Sequence, residues 1–152
     1  MRDFNKVSPT LWQSSRFIDL PSQDGRYLYL YLLTCPHQNS AGCFWLPDGY
    51  ACHDLAWDRD CYLKARQQLI DADLIEFDDT EQVVFIKRWF RHNPPMNPSH
   101  VIGIEKALIQ CPSIELRDNC HEELKAAWAE KLASSAKGKP CANRPSGIGY
   151  AT

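Results

Sequence analysis

Apolar and polar positions change their period several times along this chain, and each change predicts an element. Residues Asp3 to Val7 read as a short edge strand, after which Ser8 and Pro9 supply a helix cap followed by proline at the first helical position. A short helix through Leu11, Trp12 and Phe17 is expected to stop before Pro21, with Ser22 as the next cap. The stretch YLYLYLL from Tyr27 to Leu33 alternates strictly, which also fits a strand with Leu28, Leu30 and Leu32 on one face. Leucine's helix preference, the lack of β-branched residues and the upstream cap predict a buried helix instead, ended by Pro36. His37 to Gly42 has loop composition, and Cys43 to Leu46 is a short extended piece.

Pro47 then opens a helix of about two turns carrying Tyr50, Ala51, Leu55 and Ala56, and Asp58 caps a second helix that runs to about Ala72. On a wheel at about 100° per residue, Tyr62, Leu63, Leu69 and Ile70 share one arc flanked by Cys61 and Ala65, with Arg66 also in it. Asp60, Lys64, Gln67, Gln68 and Asp71 fill the other arc, the one such a helix shows to a partner. Leu74 to Phe77 and Gln82 to Trp89 read as two strands joined by the turn Asp78 to Glu81. Pro94, Pro95 and Pro98 break the chain, Asn97 and Pro98 start a helix bearing Val101, Ile104 and Leu108, and Cys111 and Pro112 end it. A last amphipathic helix is expected from Ile114 to Leu132, with Cys120, Leu124, Ala127, Trp128 and Leu132 as its stripe. From Ser134 the chain loses periodicity, is rich in Gly, Pro and Ser, and reads as disordered.

Two short helices, a tight turn and a two-stranded ribbon in that order predict an α+β, mostly helical fold. Specifically, they predict a winged helix-turn-helix over residues 1–95, a C-terminal helical extension over 96–133 and a disordered tail over 134–152. That architecture most often presents one helix to a DNA groove. Charge complicates the reading. Between Pro47 and Glu81 stand ten acids (Asp48, Asp54, Asp58, Asp60, Asp71, Asp73, Glu76, Asp78, Asp79, Glu81) against three bases (Arg59, Lys64, Arg66), a net of 3 − 10 = −7. Between Gln82 and Ile104 there is no acid, while Lys87, Arg88 and Arg91 are joined by His92 and His100. The whole chain is at −2, so any hold on a polyanion has to come from a local basic surface.

No apolar run reaches the roughly 18 residues of a membrane span, and the N-terminus lacks the apolar stretch of a signal peptide, so a cytoplasmic protein without membrane contact is expected. In that reducing setting the seven cysteines read as small apolar fillers. Cys35, Cys43, Cys52 and Cys61 lie near His37 and His53, but no Cys-x-x-Cys pair accompanies them, so neither a metal nor another cofactor is expected. No Gly-rich phosphate loop, metalloprotease helix or nucleophile elbow is present, and the chain does not read as an enzyme.

The opening SPTLWQSSRF, the helix YLYLYLLTCP with HQNSAGCFWLP after it, the helix end ARQQLIDADLI and the strand VVFIKRWFRHN together resemble the N-terminal winged-helix domain of phage replication-initiation (replisome organiser) proteins, over about residues 1–95. The resemblance implies a domain that binds origin DNA, assembles with itself and helps to recruit a helicase loader. The chain departs from that pattern at Arg66, where the family looks like having leucine, and at the acidic turn Asp78 to Glu81. Residues 96–152 also stand where the family's usual C-terminal domain would follow.

Two functional readings follow. In the first, Lys64, Gln67 and Gln68 reach base edges in the major groove while Lys87, Arg88, Arg91 and His92 hold phosphates, and the partner is DNA or a replication complex. Asp60 and Asp71 on the same arc would oppose this. Within Lys87 to His92, aromatics interleaved with bases either stack on single-stranded bases or form a strand end with Trp89 and Phe90 packed inward. In the alternative reading, Asp60, Asp71, Asp78, Asp79 and Glu81 form a polyanion-like surface. It would bind a host nucleic-acid-handling protein complex, as phage or mobile-element inhibitors of the anti-CRISPR kind sometimes do. Under either, the helix from Ile114 to Leu132 is a candidate for homo-oligomer pairing.

Overall fold

A computed structural model of the chain describes residues 3–138. Side-chain caps set most of the helix starts. After a 3-10 turn at Pro9–Gln13 and a single helical turn, α1 (Ser15–Ile18), Ser22 Oγ accepts the Gly25 N–H at 3.2 Å and opens α2 (Gln23–Thr34). Strand β1 (Cys43–Trp45) leads through Pro47 into α3 (Asp48–Leu55). Asp58 Oδ1 accepts the Cys61 N–H at 2.8 Å and starts α4 (Arg59–Asp71). Strands β2 (Ile75–Asp78) and β3 (Val83–Ile86) form a hairpin, followed by a one-turn helix, α5 (Trp89–His92). Asn97 caps α6 (Pro98–Ile109), and Ser113 caps α7 (Ile114–Lys137).

The fold is mostly helical with one small antiparallel sheet in the order β1-β3-β2. Cys43 pairs with Phe85 on one side of the central strand and Ile75 with Ile86 on the other. Helix α7 lies against all three strands, α2 packs on α4, and α4 reaches β2. All four residues of β3 are buried, as expected of a strand covered on both faces. One apolar core runs from Phe17 and Leu28 through Leu69 and Phe85 to Ile104 and Leu124, so α6 and α7 share it with the rest of the chain. Among the described residues no helix is long and apolar enough to cross a membrane.

The structure corrects several expected boundaries. Residues Asp3 to Val7 pair with no strand. The second strand stops at Ile86, three residues before Trp89, because Arg88 adopts a left-handed backbone (φ 60°) that turns the chain into α5. The last helix extends through Ser134 to Lys137, past the expected end at Leu132, while Leu132 itself, placed in the apolar stripe, is 53% exposed. The helix outruns the sheet it covers, so its final turns have nothing apolar to meet. Residues 139–152, the rest of the stretch read as a disordered tail, lie outside the described residues.

Candidate nucleic-acid interface

Helix α4 shows solvent the polar arc expected of it with one change. Asp60, Lys64, Gln67 and Asp71 are exposed, but Gln68 is half-buried and turned toward α2. Its Oε1 accepts the Ser22 hydroxyl at 2.8 Å and lies over Gly25, where an added Cβ would come within 2.6 Å of it. Gln68 is thus spent on joining α2 to α4, and Gln67 Nε2 donates to Asp71 Oδ1 at 2.8 Å. Of the expected base-reading trio, Lys64 is the member with no side-chain partner among the described residues.

Most of the ten acids between Asp48 and Glu81 are engaged internally. Arg66, buried in the apolar arc, donates to Asp48 Oδ1 and Asp79 Oδ1, both at 2.8 Å, with its guanidinium carbon 3.7 Å from the centre of the Phe77 ring. Asp54 accepts from the Tyr31 hydroxyl at 2.7 Å and meets His37 Nε2 at 2.9 Å, and the tyrosine bond above all holds its carboxyl below the usual range. Asp73 accepts from Lys87 Nζ and Arg88 Nη1, with Lys87 the larger cause of its lowered pKa. Asp78 accepts the Ser113 hydroxyl at 2.6 Å and the Thr80 and Glu81 amides of its own turn, which together lower its pKa, the serine most. Asp60 and Glu81 have no side-chain partner among the described residues.

The five residues of the expected acidic surface are therefore not brought together as one free patch. Asp60 and Asp71 stay on α4. Asp78, Asp79 and Glu81 instead border a shallow groove with Glu76, Glu115 and Ile114, between the hairpin turn and the start of α7.

The basic residues gather on a different face. A cleft of about 220 Å³ separates the segment Lys6 to Ser14 from the segment Lys87 to Asn93, with Tyr29 and Leu33 of α2 between them. Lys6, Arg16, Lys87, Arg88, Arg91 and His92 line it, and among the described residues no carboxylate does. Lys87 and Arg88 are held by Asp73, and the Arg88 amide donates to Glu123 Oε2 at 2.9 Å. Lys6, Arg16 and Arg91 have no acidic partner among the described residues. Burial raises the Tyr29 hydroxyl pKa, tempered by nearby Arg88, so it stays a protonated donor. Trp89 and Phe90 are 4% and 3% exposed, and Trp89 Nε1 donates to Ser40 O at 3.0 Å. They are core residues, which rules them out as stacking platforms for bases. Arg16 also borders a second depression with Asp19, Gln68, Asp71 and Ala72 at the C-terminal end of α4.

Sequence reasoning found Lys87 to His92 but missed Lys6, Arg16 and Tyr29, which no spacing links to them. A signal did exist: Phe4 to Ile18 is a second acid-free stretch, holding both Lys6 and Arg16. Elsewhere Cys35, Cys43, Cys111 and Cys120 are buried in the core, where Cys43 and Cys111 bring their sulfurs to 3.6 Å, while Cys52 and Cys61 are half-buried and Cys141 lies outside the described residues; among the described residues no group of three or more His, Cys, Asp and Glu is placed to hold a metal ion. No protein-family model matches the chain, and no curated protein or solved structure does either, so the functional reading rests on the chemistry of these surfaces.

Proposed function

We propose that the chain is a winged-helix DNA-binding protein of the phage replication-initiation type, acting on DNA directly or within a replication complex and in association with itself. The observation that carries this reading is the cleft, which gathers five lysine and arginine side chains and His92 with no lining carboxylate among the described residues, in a chain of net negative charge. The element order supports it: helix, strand, two helices joined by a tight turn, then a hairpin, with the first strand added beside the second strand of the hairpin. In the proposed complex α4 enters a groove with Lys64 toward the bases, and Arg16, Arg91 and Lys6 take phosphates beside it.

The test is fluorescence anisotropy on a labelled duplex across a salt series. Binding is expected at ~50 mM salt and should weaken roughly 40-fold by ~200 mM if three phosphates are contacted. Changing Lys6, Arg16 and Arg91 together to Ala should abolish binding with no change in thermal unfolding. Failure to retain any duplex or single strand at the low-salt end would overturn the reading.

A second reading is favoured by the acidic groove at the hairpin turn, where Asp78, Asp79, Glu81 and Glu115 flank exposed Ile114. In it the protein is a phage or mobile-element inhibitor whose acidic groove occupies the basic surface of a host nucleic-acid-handling protein. The DNA reading is preferred because Asp78 and Asp79 are already paired within the fold.

A further inference from the structure

We propose that the basic cleft is a receptor for one phosphate-bearing nucleotide unit, either a free mononucleotide or the 5′-phosphorylated end of a single strand. The inference rests on the nucleic-acid-binding reading above and narrows it to what this cavity accepts. Size is the first argument. At about 220 Å³ the cleft is smaller than the roughly 300 Å³ at which pockets for drug-sized ligands begin, so it takes one small unit and no more.

The lining supplies the second argument, because the cleft has two kinds of wall. Leu11 and Leu33 offer apolar surface against which a base or sugar can lie, while among the described residues Arg16, Arg91 and Lys6 stand without acidic partners. Guanidinium groups pair with phosphate through two parallel hydrogen bonds. A terminal phosphate carries close to two negative charges at neutral pH, whereas a phosphodiester within a strand carries one. Three cations without acidic partners therefore favour the strand end or the free nucleotide over an internal linkage. Lys87 and Arg88, shared with Asp73, shape the wall more than they add to its charge.

The experiment compares two labelled single strands of one sequence, with and without a 5′ phosphate, by anisotropy, with adenosine monophosphate and inorganic phosphate as competitors. The phosphorylated strand is expected to bind roughly tenfold more tightly, the size of one added charge-assisted contact. Adenosine monophosphate should compete better than inorganic phosphate does. Arg16→Ala and Arg91→Ala should each shrink the difference between the strands, while Lys106→Ala, on α6 outside the cleft, should leave it in place; thermal melts confirm that the variants fold. Equal affinity for the two strands, or competition by adenosine monophosphate no better than by phosphate, would overturn the inference while duplex binding left the broader reading standing. Loss of all nucleic-acid binding would remove both.

Discussion

At the scale of single residues, Arg66 explains more of this protein than any other side chain. A charged residue in the apolar arc of an amphipathic helix looks like a conflict with folding, yet its guanidinium lies on the Phe77 ring and bridges Asp48 and Asp79. The two carboxylates are unequal partners, since Asp48 is 15% exposed and Asp79 is 79% exposed in their side chains. Solvent screens the second pair, and an exposed pair of that kind contributes at most about 1 kcal/mol. Arg66→Ala should therefore destabilise by ~2–4 kcal/mol, from lost packing and an unpaired Asp48, while Asp79→Ala should cost less than ~1 kcal/mol. Urea unfolding measures both. Equal losses from the two variants would mean that the hairpin-turn carboxylate, and not Asp48, is the partner that matters.

At the scale of elements, the short pieces around the sheet are positioned by backbone geometry. Gly42 precedes β1 with φ +66°, and a Cβ there would sit 2.5 Å from Cγ of Trp89, so the glycine serves both the turn and the close approach of the α5 indole. Gly42→Ala should cost ~2–4 kcal/mol, the sum of a left-handed alanine and displacement of a buried ring. It should also reduce the near-ultraviolet circular dichroism of tryptophan. A loss below ~1 kcal/mol would show that Trp89 moves aside freely. Arg88 plays the matching part after β3, where its left-handed backbone ends the strand and turns Trp89 and Phe90 into the core. The hydrophobic pattern of Gln82 to Trp89 reads equally well as a longer strand. A local conformation of one residue decided otherwise.

At the scale of the whole molecule, charge is divided between two faces, with the basic cleft in one place and the acidic groove at the hairpin turn in another. This separation gives the two functional readings opposite responses to one change. Reversing Glu81 and Glu115 to Lys alters the groove and spares Asp78 and Asp79, whose hydrogen bonds hold the turn. If the protein binds DNA, the reversal should tighten duplex binding several-fold at low salt, as added positive charge does. If it instead occupies a basic groove of another protein, the same variant should lose that partner in a pull-down while its duplex affinity stays at background. Unchanged binding to both would exclude the groove from either role.

The amino-acid sequence by itself determined most of the helices and their starts, though not α5, because caps such as Ser22, Asp58 and Asn97 and the period of the apolar positions act over a few residues. It likewise marked the hairpin and the segregation of acids from bases, which are properties of neighbours in the chain. Only the tertiary structure decided which charged and polar side chains stay free. Gln68 was claimed by Ser22, Asp73 by Lys87 and Arg88, and Asp48 by Arg66, each by a partner that packing alone brings within reach. The cleft has the same origin: Lys6 and Arg91 share a cavity because α2 and the sheet bring the N-terminal segment against α5. Coulomb interactions and cavities depend on distance through space, and the linear order of residues carries little of that information.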